Sequence, residues 1–191
     1  SIGGKTGINN NYGKNLVGTF YQPDIVISDI TILKSLPKRE VICGYGEILK
    51  HSLIANKKNF FFLKKNKEKI INLESPIIEK AIFESCKIKS LIVEKDEKEK
   101  NLRKILNFGH TFAHAYEASL KFSKKLNHGE AVIIGINSAA KFSNFKNLLS
   151  EKEMYEIINH TKDFRLNIKN YFNLNDINRI IKYMKMDKKN N

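Results

Sequence analysis

Cysteine occurs only at positions 43 and 86, too few for a disulfide framework and too far apart for a Cys-x-x-Cys metal or redox pair. A reducing compartment, the cytoplasm, is the expected setting, with both thiols as small side chains in apolar surroundings. Long apolar runs are also missing. Lys, Asn or Glu interrupts each one within a few positions, none approaches the roughly 20 residues that span a bilayer, and no membrane association is expected. Ser1 opens no basic-then-apolar leader, so the sequence reads as truncated rather than secreted. Arginine stands only at 39, 103, 165 and 179, which leaves 30 of the 34 basic residues as lysine. Against 20 acidic residues the net charge is +14 and the pI near 9.6, in isolation the footprint of a nucleic-acid binder. Readers of nucleic acid favour arginine forks and stacked aromatics. Here lysine is spread along the whole chain beside abundant Asn and Ile, as AT-rich coding would produce with no function attached, and no nucleic-acid partner is expected.

What is present suits one sizeable domain, or one and a half small ones: 191 residues, 41% hydrophobic and 10% aromatic. Residues 1–37 are turn-rich, with Gly3, Gly4, Gly7 and Gly13, and then extended through Thr19–Pro23 and the alternating Ile25-Val26-Ile27. This pattern predicts a loop followed by one or two short strands. From residue 38 to 191 the periodicity is helical, with helices expected near 39–56, 57–70, 76–95, 102–120, 129–146, 151–160 and 175–186. The fold class is therefore mainly α.

Several ionisable residues fall on unexpected faces. In 76–95, Ile78, Ile82, Ser85, Lys89 and Ile92 share one stripe while Lys87 points the opposite way. Lys89 then faces inward, where it either snorkels out along its stem or meets an anion in a polar pocket. In 102–120, Arg103, Asn107, His110, His114 and Glu117 share a face opposite Ile105, Phe108, Phe112 and Ala115. A solvated surface in this chain would use Lys and Glu, so the choice points to a wet site. Gly109 weakens the case for one continuous helix, at about 1 kcal/mol against alanine. Glu47, Lys50 and His51 lie on adjacent turns of another helix. Asn127 and Glu130 have capping-box spacing, which sets His128 at a helix N-terminus that favours neutral, metal-binding imidazole.

One Glu and two His, as Glu47, His110 and His128 would supply, is a ligand set of catalytic zinc with an open coordination position. His110-Thr111-Phe112-Ala113-His114 lacks the Glu of His-Glu-x-x-His, which disfavours a zincin protease. The stretch from Gly7 to Gly13-Lys14-Asn15 is one residue too long for a phosphate loop and ends in Asn, which disfavours a nucleoside triphosphatase.

Five collinear motifs carry a resemblance: Ile2–Gly7 (Ile-Gly-Gly-Lys-Thr-Gly), Gly13-Lys14-Asn15-Leu16, Gly46-Glu47-Ile48-Leu49-Lys50, the run from Leu102 to Ala118 around Asn107-Phe108-Gly109-His110, and His128-Gly129-Glu130-Ala131-Val132. The chain resembles the 3-dehydroquinate synthases of the shikimate pathway. The resemblance implies a helical metal and substrate domain of that fold over 38–191, preceded by a β/loop remnant of its α/β NAD-binding domain over 1–37, since no G-x-G-x-x-G unit is present. It implies an NAD- and metal-dependent lyase, with zinc or cobalt, that cyclises the phosphorylated sugar acid 3-deoxy-arabino-heptulosonate 7-phosphate with loss of phosphate, as a cytoplasmic homodimer. By motif position Glu47, His110 and His128 correspond to the metal ligands and His114 to a proton relay supported by acidic positions such as Glu99. Lys5, Lys50, Lys89 and Arg103 correspond to groups around the substrate and metal, Asn15 to a phosphate contact and Lys188 to a further substrate-facing lysine. Lys5, Lys14, Ile32, Leu33, Lys34 and Ser35 correspond to dinucleotide contacts. The alternatives are another sugar-phosphate cyclase of the 2-deoxy-scyllo-inosose synthase type and a non-catalytic metal-binding remnant.

Overall fold

The computed structural model describes residues 2–10 and 13–187, with side chains outside 9–16; Lys188 and the side chains of Lys14 and Asn15 lie outside the described residues. Two short strands, β1 (Ile8–Asn10) and β2 (Gly13–Val17), pair antiparallel. A 3₁₀ turn, Ile30–Ser35, capped by the Asp29 carboxylate, leads into α-helices, seven among the described residues. These are α1 (Lys38–Ala55), α2 (Lys57–Ile71), α3 (Ile77–Lys95), α4 (His110–Ser119), α5 (His128–Phe145), α6 (Glu151–Thr161) and α7 (Ile177–Met186).

The mainly helical expectation agrees with this order, and two local expectations are corrected. Ile25-Val26-Ile27 forms no strand; Ile25 and Ile27 are 73% and 82% exposed. Alternation is insufficient without a neighbour to complete the ladder, and the hairpin forms instead over 8–17, extended by a single bridge between Lys5 and Phe20. Residues 102–120 are not one helix. Leu102–Asn107 is a 3₁₀ segment, and α4 begins only after Gly109, whose φ of +77° is the left-handed conformation that breaks the register. Arg103 and His110 therefore do not share a helical face.

The core has two main parts. One joins α4 to α5, α6 and α7 around Tyr116, Val132, Ile136, Met154 and Ile180; the other joins α1, α2 and α3 around Tyr45, Leu49, Leu63, Ile70 and Ile78. Helix α5 lies between them and is buried continuously from Gly129 to Ile136. Such a helix needs an apolar surface all round, and each fully buried Val or Ile contributes about 1.5–3 kcal/mol. On the α1 side His160 is buried, its Nε2 2.6 Å from Tyr45 Oη. Burial, aided by Lys67, pushes the His160 pKa down to about 4, so the ring packs as a neutral aromatic.

Three glycines let backbone meet backbone around α5. A Cβ on Gly129 would stand 2.3 Å from Cys43 Cα in α1, one on Gly135 would stand 2.3 Å from the Gly109 carbonyl oxygen, and one on Gly46 would stand 2.9 Å from the Ile133 side chain. Gly44, two residues before Gly46 and so on nearly the opposite face of α1, has open space around it. Gly129→Ala and Gly135→Ala should each cost at least about 1–3 kcal/mol in urea unfolding, because the blocking atoms are main chain. Gly44→Ala should be neutral or stabilising by up to about 1 kcal/mol, the helix-propensity gain. Equal effects at all three positions would contradict this packing.

Candidate metal centre

Glu47 projects from the middle of α1, while His110 and His128 are the first residues of α4 and α5. Ligand atoms of the three lie within 4.8 Å of one another. His110 Nε2 is 3.4 Å from Glu47 Oε1, a buried oxygen that receives no hydrogen bond from the described residues. The other nitrogen of each ring is committed elsewhere. His110 Nδ1 donates to the Phe108 carbonyl at 3.3 Å, and His128 Nδ1 donates to Glu117 Oε2 at 2.8 Å. Those bonds imply tautomers that leave the Nε2 lone pair available on both rings. A carboxylate oxygen and two imidazole lone pairs converging without a proton between them fit a small divalent cation, and the Glu117–His128 pair supplies the supporting carboxylate usual behind a metal-binding histidine.

The surroundings tune this set. Lys50, 3% exposed, donates to Glu47 Oε2 at 2.7 Å. Burial acts to raise the Glu47 pKa, but the polar groups around it outweigh that, and with the Lys50 ammonium beside it the carboxyl is held well below the usual range. Burial pushes His110 down, so its ring favours the neutral state that binds metal. His51, also buried, bonds Ser85 of α3 at 2.7 Å through Nδ1, and burial followed by the Lys50 charge pushes its pKa down to about 4. On α3 Lys87 is exposed and Lys89 half-buried, with its charge felt at His51.

The start of α5 is fixed by a residue the sequence reading did not single out. Arg39 of α1 donates through Nε and Nη2 to the two carboxylate oxygens of Glu130, at 2.7 and 2.6 Å, and to the Lys124 and Lys125 carbonyls. Glu130 completes the expected capping box with Asn127. Nothing in the sequence around Arg39 marks it apart from its being one of four arginines in a lysine-rich chain.

The remaining expected positions fall into three groups. His114 on α4 has its ring centre 5.4 Å from that of His110 and 6.1 Å from that of His128, with Nδ1 3.6 Å from Asp187 Oδ2. Around the N-terminal segment, Glu99 accepts from Asn107 Nδ2 at 2.7 Å and pairs with Lys5. Arg103, 2% exposed, gives its guanidinium to the Gly3 carbonyl at 2.7 Å and to the Glu97 carbonyl, 5.3 Å from the centre of the Phe20 ring. In the 3₁₀ turn, Ile32, Lys34 and Ser35 are exposed and Leu33 packs against α1–α3.

With this geometry in place, comparison with known proteins is decisive about kinship. The sequence pattern described as 3-dehydroquinate synthase C-terminal matches residues 44–190, and that described as 3-dehydroquinate synthase N-terminal matches residues 1–43. The chain belongs to the 3-dehydroquinate synthase family. A 3-dehydroquinate synthase of Pelagibacter ubique is 61% identical over all of this chain and 52% of its own length, and one of Thermodesulfovibrio yellowstonii is 42% identical with the same coverage. The chain thus spans about half the length of the curated relatives it matches. Among solved structures, 2-epi-5-epi-valiolone synthase from Streptomyces hygroscopicus, with NAD+ and Zn2+ bound, shares the fold at a TM-score of 0.83 and 23% identity, over 99% of this chain and 52% of that one. A 2-deoxy-scyllo-inosose synthase complexed with carbaglucose-6-phosphate, NAD+ and Co2+ gives a TM-score of 0.74 and 28% identity, over 96% of this chain and 49% of that one.

Glu117→Gln should weaken Zn2+ binding about 10–100-fold in a chelator competition titration, because it removes the charge behind His128 without touching the three ligands. Lys87→Ala, on the exposed face of α3, should leave it unchanged. Undiminished affinity in Glu117→Gln would contradict the assigned tautomer of His128.

Proposed function

We propose that this chain forms the metal- and substrate-binding part of a 3-dehydroquinate synthase, which converts 3-deoxy-arabino-heptulosonate 7-phosphate to 3-dehydroquinate and phosphate with NAD and a divalent ion, zinc or cobalt. The observation that carries this reading is the convergence of Glu47, His110 and His128 from three helices in a member of this family. The ion, when bound, would orient neighbouring substrate hydroxyls and ease loss of a hydroxyl proton. Glu47, His110 and His128 hold it. His114 moves a proton at the substrate, with the Asp187 carboxylate 3.6 Å from its Nδ1 to orient the ring.

Lys50, Lys89 and Lys5 supply cations for a substrate that carries both phosphate and carboxylate, with Asn15 and Lys188 as further contacts. Arg103, with its guanidinium taken up by the Gly3 and Glu97 carbonyls, is a positioning residue that holds the Gly3–Lys5 backbone. Lys5, Lys14 and the turn Ile32, Leu33, Lys34 and Ser35 contact the dinucleotide, residues 1–37 belonging to its domain. The protein works as a homodimer in the cytoplasm, where Cys43 and Cys86 stay free thiols. The 61% identity to a 3-dehydroquinate synthase, against 28% to a 2-deoxy-scyllo-inosose synthase, favours the heptulosonate over a hexose phosphate.

The test is a chimera that joins this chain to the part of the Pelagibacter ubique relative it does not cover. With NAD and Zn2+ the chimera should release phosphate from the heptulosonate phosphate and not from a hexose 6-phosphate, and His114→Ala should lower kcat about 10²-fold or more. The 191 residues alone should bind the ion and release no phosphate, because without oxidation by NAD the neighbouring C–H is not acidified for elimination. A folded chimera that leaves the heptulosonate intact, or one that prefers the hexose phosphate, would overturn the reading.

A further inference from the structure

His128 belongs to two groups of possible ligands. Besides Glu47 and His110, its ligand atoms lie within 4.8 Å of those of His114 and Glu117. His114 and Glu117 are three residues apart on α4 and so present to the same side. The His114 and His128 rings are nearly parallel, 21° between planes, with centres 6.1 Å apart. The carboxylate is 2% exposed and 2.8 Å from His128 Nδ1. We infer that this second triad is an alternative position for the divalent ion, exclusive of the first, which the ion occupies when Glu47 and His110 cannot hold it.

The charges favour such a position. In the first triad Glu47 shares its charge with the buried Lys50 ammonium at 2.7 Å. In the second, Asp187 Oδ2 stands 3.6 Å from His114 Nδ1 and adds its negative charge to that of the Glu117 carboxylate, which faces His128. Two imidazoles and a carboxylate are again a zinc-type donor set. On this side the His128 ring presents Nδ1 and carries its proton on Nε2, the reverse of the tautomer that serves Glu47 and His110. One neutral ring cannot offer both nitrogens, so the two positions exclude each other. An ion in the second triad also occupies His114, the proposed proton carrier, and the centre is then parked in a state unable to move that proton.

This inference extends the metal reading above, and its test separates the two. Co2+ binding to the 191-residue chain is followed by visible absorption and equilibrium dialysis in the wild type, in Glu47→Gln/His110→Gln, and in that variant with His114→Ala added. One ion per chain is expected in the wild type even at excess Co2+. The double variant should also bind one, about 10²–10³-fold more weakly and with a changed d–d spectrum, and the triple variant should bind none. Two ions in the wild type, or a double variant that binds nothing while the wild type binds one, would overturn the shared-ligand inference and leave the first triad standing. Equal binding by double and triple variants would overturn it also, and no binding by any protein would overturn both readings. Circular dichroism checks folding; if the double variant does not fold, Glu47→Gln with and without His114→Ala carries the same comparison.

Discussion

The close approach of α5 to its neighbours is the constraint on which the rest depends. Each of the three candidate ligands sits next to a glycine at one of these contacts: Gly46 before Glu47, Gly109 before His110, Gly129 after His128. A Glu and two His side chains reach a common point only if their main chains come very near one another, and a Cβ at Gly129 or at Gly135 would strike backbone at 2.3 Å. The apolar burial of α5 supplies the driving force, and the glycines set the distance to which it draws α1 and α4.

Within that frame the electrostatics are arranged in pairs. Lys50 and Glu47 share a partly buried bond, in which the carboxylate offsets part of the cost of burying the ammonium. Glu117 and the Phe108 carbonyl each take a ring N–H, so that burial, tautomer and aim of the imidazoles act toward the same end. Arg39 secures the loop before α5 to α1, which ties the His128 end of the centre to the helix that carries Glu47.

Much of this was legible in the sequence. The helical expectations for 39–56, 57–70 and 151–160 differ from α1, α2 and α6 by no more than a residue or so at either end, because their apolar spacing and caps are local properties. Glu47, His110 and His128 are a zinc-type ligand set by residue type alone, and they come together. What was not legible depended on partners distant in sequence. Arg103 was placed on a face with His110 by counting helical turns, but the left-handed Gly109 lies between them, and the guanidinium reaches the Gly3 carbonyl, 100 residues away. Ile25-Val26-Ile27 has the alternation of a strand without a neighbour to pair with. Arg39 carried no pattern of its own, since its role arises only when α5 arrives beside α1.

The atoms that meet at this centre can be read directly from side-chain spectra of the chain labelled with ¹⁵N-histidine. On addition of Zn2+ the Nε2 resonances of His110 and His128 should shift to metal-bound positions while both Nδ1 atoms remain protonated and His114 keeps a free ring. A shift of His114 in place of His110, or of no histidine at all, would contradict this ligand set.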